Sequence, residues 1–137
     1  MVLMGQIMNK KKWIGFDLDG TIAETINGDG IGLPIKPMID LLLKIHQEKK
    51  YEVKIFTARA ESPEKVVKIR DWLDFYGLPK LDITNVKDSF CALIIDNIAM
   101  RVYKDRGVIC QSCLSNVMSE ISFGFVNNQK KSTMELL

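Results

Sequence analysis

Residues 13–25 read WIGFDLDGTIAET, an aromatic and branched apolar run that closes on two carboxylates one residue apart, Asp17 and Asp19, with Gly20 and Thr21 directly behind. A run that is apolar at consecutive positions suits a strand buried on both faces, and such strands belong to parallel sheets covered by helices. Two like charges at the end of a buried strand oppose folding unless a cation stands between them. The rest of the chain therefore has to supply a sheet around this strand and a positive partner at its carboxyl end.

The sheet is legible. Residues 25–33, TINGDGIGL, carry three glycines and read as a loop or tight hairpin. Pro34 and Pro37 punctuate a helix start, and Met38, Leu41, Leu42 and Ile45 give it an apolar stripe to about Lys50, with Leu43 fitting less regularly. Residues 51–57, YEVKIFT, form a second expected strand. Ser62, Pro63 and Glu64 then supply an N-cap, a first turn and a favourable charge for a second helix. Val66, Val67, Ile69, Trp72, Leu73 and Phe75 with Tyr76 lie on or beside one face of that helix, and Gly77 and Pro79 end it. Further strands are expected at residues 81–86, 92–96 and 100–103. Strands alternating with amphipathic helices predict a three-layer α/β domain around a central parallel sheet of about five strands, joined by right-handed crossovers.

A chain of 137 residues holds one domain with a real core and is short for two. Residues 1–137 are therefore expected to form a single domain, with its core at about 13–106 and residues 107–137 as a peripheral segment. Within that segment Leu114, Val117, Met118 and Ile121 have helical spacing, and residues 127–133 are polar. A composition of 47% hydrophobic and 26% charged residues is that of an ordinary globular protein and excludes disordered or fibrous classes. The net charge of +2 neither demands nor excludes a nucleic-acid partner, and Lys10 to Lys12 and Lys130 to Lys131 read as solvated surface. The opening MVLMGQIM precedes NKKK, the reverse of a secretory signal, and Met4 and Met8 serve equally well as starts. No run approaches the ~20 apolar residues of a membrane span, so a cytoplasmic protein with no membrane partner is expected. Cys91, Cys110 and Cys113 cannot all pair within one chain, which fits a reducing compartment. Cys110 and Cys113 form a C-x-x-C without the second half of a zinc cage, so they read as free thiols, with a redox or zinc role as a minor functional reading.

The polar residues that end the strands carry the chemistry: Asp17 and Asp19 on the first, Thr57 on the second, Lys87 and Asp88 after the third, Asp96 and Asn97 on the fourth. In a parallel sheet these fall on one edge, where ligands of such sheets sit. Oxygen donors without Cys or His suit Mg2+, which keeps waters and shares its shell with phosphate groups. A lysine and a threonine beside it suit the grip on a transferring phosphoryl group. D-x-D-G also opens calcium loops, but the twelfth position counted from Asp17 is Gly28 where such a loop needs Glu.

D-x-D-G-T at Asp17 to Thr21, a strand ending in Thr57, Lys87, and an acidic strand end at Asp96 together resemble the four motifs of the haloacid dehalogenase (HAD) superfamily, in order, over about residues 13–106. The resemblance implies a Rossmann-like HAD fold and a Mg2+-dependent phosphomonoester hydrolase. Asp17 would be the nucleophile that forms an aspartyl-phosphate, and Asp19 the general acid and then the base for water. Thr57 and Lys87 would hold the phosphoryl group, and Mg2+ would bind Asp17, Asp96 and the backbone carbonyl of Asp19. Asn97 departs from the pattern, since many members carry a second acid there. A degenerate member that binds Mg2+ and a phosphorylated ligand or partner without turnover is the alternative reading. T-A-R at Thr57 to Arg59 and T-N-V-K-D at Thr84 to Asp88 resemble small stand-alone HAD-like proteins of bacteria and phages, which makes Arg59 and Asn85 expected substrate contacts. Residues 21–37 are too few for a helical cap, so the resemblance implies a capless, open site with only the glycine-rich loop at residues 27–32 as a flap. Such a site suits a large phosphorylated substrate, such as a nucleic-acid end or a phosphoprotein, or a homo-oligomer in which a neighbour covers it.

Overall fold

In the computed structural model, which describes residues 10–115, strand β1 (Trp13–Phe16) is buried along its whole length. The cause is its position: β2 (Glu52–Phe56) flanks it on one side and β4 (Cys91–Ile95) on the other, both parallel to it. Phe16 sits in register between Ile55 and Ile95. Beyond β2 lies β3 (Asp82–Thr84), also parallel, so the sheet has four strands in the order β3-β2-β1-β4. The chain steps outward from β1 to β3 and then returns to the far side of β1. Strand order thus reverses between β1 and β4, the place where open parallel sheets hold their ligands.

Gly15 is dictated by this packing. A Cβ there would lie 2.8 Å from the Trp13 ring, 2.9 Å from Phe56 Cβ and 3.0 Å from Ile94 Cδ1, so no side chain fits between the three strands.

Helix α1 (Lys36–Glu48) starts with Pro37 in its first turn and ends at Lys49, whose left-handed backbone (φ 59°) lets its N–H reach the His46 carbonyl. Its inner face is Leu42, fully buried, with Met38, Ile39, Leu43 and Ile45 packed against the core. Leu41, expected on the stripe, is exposed and Leu43 takes its place: the two lie about 100° to either side of Leu42, so spacing alone treats them alike, and the packing turns the Leu43 side inward.

Helix α2 (Pro63–Phe75) is capped by Ser62, whose hydroxyl accepts the Lys65 N–H. It buries Ile69, Trp72 and Leu73 and leaves Val67 and Phe75 in solvent, so the expected face is narrower than the apolar count suggested. Gly77 (φ 70°) ends it, and the Leu78 N–H donates to the Leu73 carbonyl. The Trp72 indole N–H donates to the Gly32 carbonyl at 2.9 Å in a buried position, fastening the glycine-rich loop to the helix.

The described residues divide into two compact units, one ending at Asn97 and the other beginning at Ile98. In the second, β5 (Val102–Tyr103) and β6 (Val108–Ile109) pair antiparallel as a hairpin ahead of the short helix α3 (Gln111–Ser115). Residues 100–103, expected as a fifth parallel strand, belong to this hairpin instead. Asp105 and Gly107 adopt left-handed backbone angles (φ 63° and 65°) that turn the chain straight back, and so short a loop closes at little entropic cost. The expected helical positions Val117, Met118 and Ile121 and the polar stretch 127–133 lie outside the described residues. The described chain is thus a mixed α/β arrangement of three helices and a central parallel sheet of four strands, as in Rossmann-like folds. Among the described residues no helix is long and apolar enough to cross a membrane.

Candidate active site

Asp17 follows β1 directly, and its N–H continues the ladder by donating to the Ile95 carbonyl at 2.9 Å. Its carboxyl is raised from the usual carboxylate range to about 6, because burial disfavours the charge and Asp96, at the end of β4, adds a second negative charge. The Leu18 N–H and the Thr21 hydroxyl oppose that rise, and Asp19 adds to it slightly.

The turn that follows decides where Asp19 points. The Leu18 carbonyl accepts N–H groups from Thr21, Ile22 and Ala23, and Gly20 takes a left-handed backbone (φ 84°). The bend separates the two carboxylates. Asp19 turns to Arg59, which donates Nε–H to Oδ2 at 2.7 Å and Nη2–H to Oδ1 at 2.8 Å. Arg59 also donates to the carbonyls of Asp29 (2.7 Å) and Gly30 (2.8 Å), and its hydrogen bonds to Asp19 raise its own basicity further. Arg59, expected as a substrate contact, is engaged here with Asp19 and two loop carbonyls.

Thr57 closes β2 and is buried, with its N–H on the Thr84 carbonyl. Its hydroxyl accepts the Arg59 N–H at 3.2 Å and so caps a single turn of 3-10 helix at Ala58–Glu61. The cap and the expected phosphate-gripping position coincide, and the same residue places Arg59.

Asn97 completes the edge. Its backbone N–H donates to Thr21 Oγ1 at 3.1 Å. Three oxygens face one end of its side-chain amide: Asp17 Oδ2 at 3.0 Å, Thr21 Oγ1 at 3.2 Å and the Asp19 carbonyl at 3.2 Å. The Thr21 hydroxyl proton points to Asp17 Oδ2 (3.4 Å), so it is the NH2 end of Asn97 that faces the three oxygens and shares its two hydrogens among them. Gly20 makes the space, since a Cβ there would fall 2.6 Å from this amide. Thr21 is the member that motif reading left without a role, and the direct bond from the Asn97 amide to Asp17 was not foreseen. Gly20 and Thr21 following the carboxylates were the available signal.

The structure therefore brings together Asp17, Asp19, Thr57, Arg59, Asp96 and Asn97. Lys87 and Asn85 are exposed in the loop after β3. Burial raises the Cys91 thiol at the start of β4, and the Lys87 charge counters that rise. Among the described residues no hydrogen bond or ion pair joins Lys87 to Asp17 or Asp19. Asp88 explains its course: this carboxylate accepts the Trp13 indole N–H at 2.8 Å and the Phe90 N–H at 2.9 Å, which draws the loop toward the amino ends of β1 and β4. Cys91, Cys110 and Cys113 are free thiols.

Among the described residues no three His, Cys, Asp or Glu side chains form a ready metal cage. The donors that do converge are the carboxylate of Asp17, its charged neighbour Asp96 and the backbone carbonyl of Asp19. A small oxygen set of this kind fits a hard cation such as Mg2+, which needs one or two carboxylates.

No protein-family model matches the sequence, and no curated protein matches it. Among solved structures the chain is similar to a conserved protein from Bacteroides thetaiotaomicron, with a TM-score of 0.50 and 19% identity over 84% of this chain and 96% of that one. The likeness is one of fold.

Proposed function

We propose that the protein is a Mg2+-dependent phosphomonoester hydrolase of HAD-like type, uncapped, working in the cytoplasm through an aspartyl-phosphate on Asp17. The observation that carries this reading is the convergence of the Asp17 carboxylate, the Asp96 charge and the Asp19 carbonyl where strand order reverses. A carboxyl raised to about 6 by burial and by a second carboxylate is one that a cation would return to its ionised, nucleophilic form. When bound, Mg2+ neutralises the charge that gathers on the carboxylates and the phosphoryl oxygens.

The residues then divide the work. An Asp17 oxygen attacks phosphorus, the bond from phosphorus to the leaving oxygen breaks, and that oxygen takes a proton from Asp19. Water next attacks the aspartyl-phosphate, Asp19 takes its proton, and the bond from phosphorus to Asp17 breaks to release phosphate. Thr57 offers its hydroxyl to the phosphoryl oxygens. Lys87 joins it only if the loop after β3 swings toward the carboxyl edge.

The second reading, binding of a phosphorylated ligand without turnover, is favoured by one observation. Asp19 is gripped on both oxygens by Arg59, so one lone pair on each is already taken and proton transfer there competes with that ion pair. Release of phosphate from an aryl phosphate, with and without Mg2+, in the wild type and in Asp17→Asn, separates the two. Metal-dependent release that Asp17→Asn abolishes supports the hydrolase. No release across sugar phosphates, nucleotides, phosphopeptides and phosphorylated DNA ends leaves the binding protein.

A further inference from the structure

The Asn97 amide lies where a cation would bind. Two of the three oxygens that receive its hydrogens, Asp17 Oδ2 at 3.0 Å and the Asp19 carbonyl at 3.2 Å, are the atoms assigned above to metal binding. Oxygens that converge on one nitrogen at that distance converge on nearly the same point for an ion. The NH2 group carries partial positive charge and presents it to the Asp17 carboxylate from the position an ion would take.

We propose that the Asn97 side chain is a built-in cap on the cation position, which a divalent ion displaces as it binds. The inference rests on the metal-site reading of Asp17 and the Asp19 carbonyl. The cap has a way out, because Asn97 is exposed and its side chain can turn to solvent. Its backbone stays anchored, through the N–H on Thr21 Oγ1. Its seat is made to measure, since any side chain on Gly20 would strike it. A contact made only in the ion-free protein stabilises that form and lowers ion affinity by the same factor. One charge-assisted hydrogen bond corresponds to about tenfold in affinity.

The test is calorimetric titration of MgCl2 alone into the wild type, Asn97→Ala and Asp17→Asn, with the Asn97 side-chain amide followed by 15N NMR in the wild type. Tighter Mg2+ binding by Asn97→Ala, by about tenfold, together with an Asn97 amide signal that shifts and exchanges faster on Mg2+ addition, supports the cap. Equal or weaker binding by Asn97→Ala, or an amide signal that ignores Mg2+, overturns it while the metal site stands. No Mg2+ binding by wild type or Asn97→Ala overturns the cap and the metal-site reading together. The NMR measurement decides the matter even where Asn97→Ala does not fold.

Discussion

Arg59 grips Asp19 through two parallel N–H···O bonds, 2.7 and 2.8 Å long, and with its remaining hydrogens holds the carbonyls of Asp29 and Gly30. One guanidinium thus ties the carboxylate behind β1 to the glycine-rich loop, from a position set by Thr57 at the end of β2. The pair is partly buried, with side-chain exposures of 21% for Arg59 and 33% for Asp19. Bidentate geometry of this kind outweighs an ordinary surface ion pair.

Replacing Arg59 by Ala therefore frees two elements at once. Stability should fall by about 1–2 kcal/mol. Amide exchange and proteolytic nicking should rise at residues 28–31, where the loop carbonyls lose their donor. Arg59→Lys should restore little, because an ammonium cannot serve four acceptor positions in one plane. Hydrogen exchange read by mass spectrometry checks both variants.

Asp17 is a stability cost held for the sake of the site. Its folded-state value of about 6 stands above the usual 3.8, so protonated Asp17 favours the fold. That contribution is complete below about pH 4 and is lost as pH rises through about 6. Metal-free Asp17→Asn should accordingly match the wild type near pH 4 and melt higher at pH 7, by about 3 °C. Melting curves across that range, with and without Mg2+, check it, and Mg2+ should narrow the gap from the wild-type side only.

Much of this edge was legible in the chain, for identifiable reasons. The run at residues 13–16 declared a doubly buried strand because both its faces are covered, and the carboxylates behind it marked the carboxyl edge of the sheet. Leu41 misled because it and Leu43 flank the buried Leu42 at equal angles, and only the packing of Leu43 decides which flank faces the core. The bond between Arg59 and Asp19 had no local signal: the partners lie 40 positions apart and meet through strand pairing. The loop carbonyls of Asp29, Gly30 and Gly32 were invisible for another reason, since every residue carries one. The position of Lys87 turned on Asp88 finding the Trp13 indole, a contact between segments that no periodicity encodes.

Thr57 caps the 3-10 turn through its hydroxyl, and on the proposed chemistry the same hydroxyl meets the phosphoryl group, so both roles depend on it. Thr57→Val removes the hydroxyl that accepts the Arg59 N–H and, on the proposed chemistry, the donor to the phosphoryl group. Turnover should fall about a hundredfold. Thr57→Ser keeps the hydroxyl and should recover most of it. Steady-state kinetics with an aryl phosphate, beside melting curves for both variants, check the pair.

The link from Trp72 to Gly32 predicts a loop effect without an ion pair. Trp72→Phe leaves a buried carbonyl without its donor, at a cost of about 1–2 kcal/mol. Denaturant titration gives the cost, and exchange at residues 30–34 shows where it falls.

Gly15→Ala forces a methyl into contacts of 2.8 to 3.0 Å between three strands. Overpacking at such a site costs about 1–3 kcal/mol. A melting temperature unchanged from the wild type would show that the strands can part.

The position of β4 has a consequence for how the protein comes to life. Thr21 and Asn97 touch although they lie 76 positions apart, and β4, which Asn97 follows, is the last strand of the four-stranded sheet to leave the ribosome. A nascent chain exposes its aspartates for most of its synthesis with no neighbour to act alongside. Any proteolytic fragment that stops short of β4 inherits the motif without Asp96 and Asn97 beside it, so on the proposed chemistry competence arrives in one step with the closing strand.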